Sequence, residues 1–324
     1  MSNSLTPVRA QHSLSREEES DAREWDSANY QGAGAKHPHQ SVMLKEVVEL
    51  LAPKKGEVVV DATFGAGGHS RALKAAAKIK LIAIDADPAA GDGVFEANFA
   101  DLDQVLKKEG VEKINKVLFD LGWNKGQLSA GKGFSFMTNE PLLMTYGKKP
   151  ASGFTAAEIV NTWSEKVLAD VFFGYGEERY ARRIAKAIVA RRKIQKIERT
   201  IELVEIIRDA VPPAYRHGRL NPATRSFQAL RIAVNDELKC IERGLESAWK
   251  HLNCGGRIAV ITFHSTEDRV VKKIFAQFVK KEDAKMHGVL IVKKPLTPTK
   301  AEIINNPSAR SAKLRIIEKI CKET

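Results

Sequence analysis

Cysteine is scarce in this chain, and the three present, Cys240, Cys254 and Cys321, are neither even in number nor spaced as C-x-x-C. That argues against a disulfide framework and against a zinc site, and it suits a reducing, cytoplasmic setting. Long apolar runs are missing too. None approaches the roughly 20 residues of a membrane span, and the N-terminus lacks the apolar core of a signal peptide. Glu17-Glu18-Glu19 argues against an organellar transit peptide, because such leaders avoid acids. Acidic residues are in deficit, 40 Asp+Glu against 52 Lys+Arg, which leaves a net charge of +12. A surplus of that size favours a polyanionic partner, and nucleic acid is the usual one.

Residues 1–36 are rich in Ser, Glu, Arg and Gln and poor in periodic apolar residues, so they read as a disordered extension. The ordered chain is expected to start near His37. Val42, Leu44, Val47, Val48, Leu50 and Leu51 then form the apolar face of a helix before Pro53.

The stretch around which the chain is organised runs from Val58 to Ser70. Val58-Val59-Val60 suits a buried parallel strand, Gly65, Gly67 and Gly68 form a tight turn, and Arg71 to Ala77 has helical composition. Glycine in such a turn reaches positive φ and lets main-chain N–H groups approach a ligand at the electropositive start of a helix. A second apolar strand, Leu81 to Ile84, ends in Asp85 about 20 residues after the turn, where a carboxylate would hold a ribose. Asp87-Pro88 just beyond supplies its own helix cap. One element of the dinucleotide fingerprint is missing, since Ser70 stands where G-x-G-x-x-G has its third glycine. That weakens a nicotinamide-dependent oxidoreductase and leaves a nucleoside cofactor without a pyrophosphate.

Asp61 to Ser70, with the sequence Asp-Ala-Thr-Phe-Gly-Ala-Gly-Gly-His-Ser, resembles the RsmH (MraW) family of S-adenosylmethionine-dependent ribosomal RNA cytidine methyltransferases. So do the His37-x-x-x-Ser41-Val42-x-Leu44 start, Ala223 to Ile232, Phe263 to Arg269, and Asn306 to Ser311. The resemblance implies S-adenosyl-L-methionine as cofactor, with Gly67, Gly68, His69, Asp85, Phe99, Asp120 and Gln127 as its contacts. It also implies methylation of the N(4) amine of a cytidine in the decoding region of small-subunit ribosomal RNA, free or in the small subunit. Asp120, at the end of the strand Val117 to Phe119, is the candidate catalytic group, with no metal required. His264 reads as a structural hydrogen-bonding residue. Where family members carry V-S-S-P after D-L-G, this chain has Trp123-Asn124-Lys125-Gly126, and its region between Asp85 and Phe99 is short.

The expected fold is α/β, a Rossmann-like class I methyltransferase sheet with an inserted helical lobe. Residues 37–137 and 221–324 make the methyltransferase domain and 138–220 the lobe. Thr155-x-x-Glu158 is a capping box. A helix from Glu177 to about Lys193 carries Arg179, Arg182, Lys186 and Lys193 along one face, a candidate RNA-phosphate stripe. A single long helix is expected from Asn221 to Leu252, followed by a strand from Arg257 to Phe263 and a last strand from Leu314 to Ile317. A catalytically silent RNA-binding assembly factor would share the charge and the sheet.

Overall fold

A computed structural model describes residues 40–87, 91, 93–122, 131–147, 149–280 and 286–321. The 1–36 extension, His37, Pro88 and the segment with Trp123 to Gln127 lie outside them. Among the described residues there are seven strands: β1 (Val58–Asp61), β2 (Lys80–Asp85), β3 (Val94–Glu96), β4 (Ile114–Asp120), β5 (Leu252–Thr262), β6 (Met286–Leu290) and β7 (Lys313–Cys321). They form one sheet in the order β3-β2-β1-β4-β5-β7-β6. Neighbours from β3 to β5 are parallel, and β7 runs antiparallel between β5 and β6. This is a Rossmann-like α/β arrangement, as expected, whose order reverses beside β1 and β4 and opens a crevice at their carboxyl ends.

The strands are apolar on both faces because both faces are covered. Val60, Val117, Phe119, Ile258 and Val260 point into one core, shared with helices α3 (Leu102–Lys108), α10 (Glu237–His251) and α11 (Ser265–Lys280). The intervening Val59, Leu118, Ala259 and Ile261 point into the other, closed by α1 (Leu44–Leu51) and Leu73 of α2 (Gly68–Ala76). Alternation at period two therefore assigns each strand residue to a layer.

A third apolar cluster belongs to the helical lobe: α4 (Ala156–Thr162), α5 (Glu165–Gly176), α6 (Ala181–Arg192), α7 (Thr200–Ala210) and the short α8 (Pro213–Arg216). The capping box forms as expected, with Thr155 Oγ1 accepting the Glu158 N–H at 3.2 Å and Glu158 Oε2 accepting the Thr155 N–H at 2.7 Å. The same cluster takes Phe134, Leu142 and Met144 from before the helices and Phe227, Leu230 and Val234 from after them.

Three expectations need correction. The helix expected from Asn221 to Leu252 is two helices, α9 (Thr224–Asn235) and α10, separated by Asp236 in the left-handed region at φ 48°. Asp tolerates that conformation, and the break lets α9 pack into the lobe while α10 packs on the sheet. Asn235 holds the corner by donating to the Met144 and Arg231 carbonyls at 2.8 and 2.9 Å and accepting the Tyr146 N–H. The helix expected from Glu177 begins instead at Ala181, because Glu177 has φ 52° and terminates α5. Finally, Cys254 and Cys321 form a disulfide with Cα atoms 5.5 Å apart. The β5–β7 register that sets Arg257 opposite Glu318, carried three residues outward, sets these two cysteines face to face. Their separation of 67 residues shows nothing of that in the sequence.

Candidate active site at the ends of β1, β2 and β4

The glycine turn leaves β1 between two strands that hold it. Ala62 N–H donates to the Leu118 carbonyl and Phe64 N–H to the Ile84 carbonyl, both at 2.9 Å. Gly65 and Gly67 take φ of 53° and 73°, which glycine adopts at little cost. A Cβ on Gly67 would stand 2.5 Å from the Phe64 ring, and one on Gly68 would overlap the Ser41 side chain, yet one on Gly65 would meet nothing within 4 Å. The turn is thus closed against its own chain at Gly67 and Gly68 and open at Gly65.

Asp85 clasps this turn. Its Oδ2 accepts the Gly65 N–H at 2.6 Å and its Oδ1 the Asp87 N–H at 2.8 Å. Burial raises its pKa, and the two main-chain donors pull the other way. A carboxylate has about four acceptor directions, and with the Ala86 N–H also acting on it at least one remains for a hydroxyl.

Behind the turn lies a buried polar chain that only partly coincides with the sequence candidates. Asp61, 1% exposed, accepts the Ser70 hydroxyl at 2.6 Å. Ser70, notable in the sequence for not being glycine, is therefore a hydrogen-bond donor to the end of β1. Burial raises the Asp61 pKa, with Ser70 and His69 opposing. Thr63 Oγ1 accepts the Asp120 N–H at 2.6 Å, tying the ends of β1 and β4 together. His69 Nδ1 lies 3.6 Å from Asp120 Oδ2, and its Nε2 is 3.0 Å from the Val42 carbonyl. Asp120 Oδ1 is buried without a hydrogen-bond partner among the described residues. Burial pushes the Asp120 pKa up to about 6, against the nearby His69 and with Asp61 and Glu267 adding to the rise. Asp61, Thr63 and Ser70 are the site residues that sequence reasoning missed. A carboxylate closing β1 next to a crevice strand was the available signal.

Across the crevice, Phe263 at the end of β5 packs so tightly on Gly122 that a Cβ there would stand 2.5 Å from its ring. The residues that follow enter a second buried network. Glu267 Oε1 meets His264 Nε2 at 2.8 Å, and its Oε2 accepts the Phe263 N–H at 2.8 Å. Arg231 pairs with Glu237 through Nε and Nη2 at 2.8 and 3.0 Å, and Tyr146 donates to the same carboxylate at 2.8 Å. A buried guanidinium paired twice in this way is an anchor. Glu237, His264 and Glu267 come near enough together to hold a metal ion, but Arg231 already neutralises Glu237. His264 is a hydrogen-bonding member of this network, in keeping with the structural reading.

A family model described as the MraW methylase family matches residues 36–320. The chain belongs to the MraW methylase family. "Ribosomal RNA small subunit methyltransferase H" of Rhodospirillum centenum is 43% identical over 311 residues, covering 87% of this chain and 92% of that protein. The protein of the same name from a Sulfurihydrogenibium species is 44% identical over 296 residues, covering 87% of this chain and 99% of that one. Among solved structures, a putative rRNA methylase from Clostridium thermocellum matches 88% of this chain and 100% of its own at 12% identity, with a TM-score of 0.39. A likeness that slight carries no argument.

In this MraW methylase, then, Gly67, Gly68, His69, Asp85 and Asp120 meet around the ends of β1, β2 and β4. Phe99 sits apart, in the turn after β3. Its half-buried ring packs edge-on against Phe119 at 5.7 Å and against Gly244 of α10, where a Cβ would stand 2.8 Å away. Gln127 lies outside the described residues. Of the basic stripe, Arg182 and Lys186 are exposed on α6, and Lys193 is exposed at its end. These three fall within roughly 40° of one another around a helix of 3.6 residues per turn. Arg179 precedes the helix, and its guanidinium lies 4.8 and 4.7 Å from the ring centres of Tyr180 and Tyr215.

The lobe is joined to the crevice rim by Glu177. Its carboxylate accepts Ser265 Oγ at 2.8 Å and Arg269 Nη2 at 2.6 Å, and its carbonyl accepts Arg225 Nη1 at 2.8 Å. A single residue, Glu178, separates this clasp from Arg179.

Proposed function

We propose that this chain transfers a methyl group from S-adenosyl-L-methionine to the N(4) amine of a cytidine in the decoding region of small-subunit ribosomal RNA. The curated relatives carry the name of small-subunit ribosomal RNA methyltransferases, and a net charge of +12 suits an RNA substrate. The observation on which the reading turns is Asp120 Oδ1, a buried acceptor at the crevice end of β4 without a hydrogen-bond partner among the described residues. Such an atom costs about 1–3 kcal/mol when left unpaired, and a bound amine N–H would relieve that cost.

The residues fit the cofactor. The open side of the turn at Gly65 and the helix start behind Gly67 suit its charged amino-acid end, and the remaining acceptor capacity of Asp85 suits a ribose hydroxyl. S-adenosyl-L-methionine, when bound, supplies a methyl group on a positively charged sulfur. The chain's part is to orient and polarise the acceptor, because the lone pair of a cytosine amine is delocalised into its ring. Asp120 accepts a hydrogen bond from the amine, holds it in line, and takes its proton as the nitrogen becomes tetrahedral. A group with a pKa of about 6 is mostly ionised at neutral pH and still basic enough for the task. The helical lobe, with Arg182, Lys186 and Lys193 exposed on one side, holds the surrounding RNA backbone while the base is extruded.

The test is incubation with methyl-labelled cofactor and either small-subunit RNA or small ribosomal subunits, followed by nucleoside digestion and mass spectrometry. N(4)-methylcytidine at one decoding-region position is the expected product. Label on another atom overturns the acceptor assignment. Cofactor and RNA binding with no label transferred to either substrate identifies a silent assembly factor.

A further inference from the structure

The ring of His69 faces Asp120 in a way that holding a cofactor does not require. Its Nε2 lies 3.0 Å from the Val42 carbonyl oxygen. A carbonyl only accepts, so this nitrogen carries the hydrogen. In a neutral ring Nδ1 is then an acceptor, and it points at another acceptor, Asp120 Oδ2, 3.6 Å away. The two side chains are 6% and 15% exposed, so little water screens them. Two facing acceptors in a buried site repel unless a proton lies between them.

The charged groups around the pair reinforce this. Asp61 from the end of β1 and Glu267 from the start of α11 both favour retention of a proton at Asp120. Asp85, from β2, acts in the same sense on Asp61. The Ser70 hydroxyl is turned away, donating to Asp61. One oxygen of Asp120 therefore faces the imidazole, and the other, Oδ1, has no hydrogen-bond partner among the described residues.

We propose that His69 is the positioning residue for Asp120: the pair holds one proton, carried on Nδ1, so that an imidazolium faces the Oδ2 side of the carboxylate at ion-pair distance and leaves Oδ1 as the acceptor of the amine proton. This rests on the methyl-transfer reading above. During turnover the carbon–nitrogen bond forms as the carbon–sulfur bond breaks, and the amine proton passes to Oδ1. The proton on Nδ1 stays there. The pair enters the step with one proton and leaves it with two, and the extra proton goes to solvent once the product departs.

Two experiments on the full chain test the pair. In the first, the histidine rings are labelled with ¹⁵N and His69 is assigned by its absence in His69→Gln. We expect Nε2 protonated throughout and Nδ1 partly protonated at neutral pH, reverting to a bare acceptor in Asp120→Asn. A wild-type Nδ1 that stays bare between about pH 6 and 8, on either side of the ordinary histidine range, overturns the proposal. The second is the pH profile of kcat. His69→Gln retains an N–H for Val42 but cannot carry a positive charge toward Oδ2, so kcat should fall about 100-fold, within the range of general acid–base effects. Its acid limb should move to higher pH, because His69 lowers the Asp120 pKa, a shift that the loss of a cofactor contact alone would not produce. His69→Asn places an amide N–H against Oδ2 and should recover part of kcat with the limb moved to lower pH. Limbs unmoved in both variants reduce His69 to an anchor for Val42. If the wild type transfers no methyl group, the functional reading fails, and the ring spectrum still decides the proton pair.

Discussion

Asp85 and Gly65 are joined by a 2.6 Å hydrogen bond from the glycine N–H to Oδ2, which makes the carboxylate at the end of β2 a clasp for the turn as well as a candidate ribose ligand. The two duties are separable. Asp85→Ala should weaken S-adenosyl-L-methionine binding by roughly 1.5–3 kcal/mol, the range for a hydrogen bond to a charged group. It should also lower the melting temperature, because two main-chain donors lose their acceptor. Calorimetry showing unchanged affinity in the folded variant would limit Asp85 to the clasp.

The pH dependence of stability tests the environment of Asp120. Its folded-state pKa of about 6 lies above the ordinary aspartate value of 3.8, so between those values the native state binds more protons than the unfolded state. The group's contribution to stability is therefore fully present below the lower value and is lost as pH rises through the upper one. Asp120→Asn removes this penalty. At neutral pH the variant should be more stable than wild type by about 1–3 kcal/mol, with the gain fading below roughly the unfolded carboxylate pKa. Denaturation at several pH values measures it, and a pH-independent difference would contradict the burial argument.

Gly68 can be tested through its neighbour. A Cβ at this position would overlap the Ser41 side chain, so Gly68→Ala should destabilise by about 1–3 kcal/mol, as overpacking does, and should displace α1 from the turn. Adding Ser41→Gly should recover most of the loss. A double variant no better than the single one would show that the strain lies in the turn itself.

Replacing Arg182 and Lys186 together by glutamine should weaken RNA binding and reduce its salt slope by about two phosphate contacts, roughly −0.9 each for a duplex and −0.7 for a single strand. Cofactor affinity should not change, since both side chains are exposed on α6. Affinity measured at several salt concentrations decides it. An unaltered slope would make this face merely solvated.

Local chemistry in the sequence was enough to place β1, the glycine turn, β2, Asp120 at the end of β4 and the Thr155–Glu158 cap. Each rests on a signal a few residues long: an apolar run, a turn that needs glycine, a hydroxyl three residues before a glutamate. A resemblance spread over several motifs supplied the expected reaction and the expected cofactor contacts, and the family match over residues 36–320 bears out the family. What the sequence could not show depends on residues far apart in the chain. The break at Asp236 reflects Asn235 answering Met144 and Tyr146 about 90 residues away. The disulfide needs the β5–β7 register. The state of Asp120 comes from burial beside Asp61 at the end of β1 and Glu267 at the start of α11, and from His69 being turned by the carbonyl of Val42, 27 residues earlier. Periodicity and turn chemistry act within a few residues, whereas protonation and buried polar pairing depend on which distant groups exclude water together.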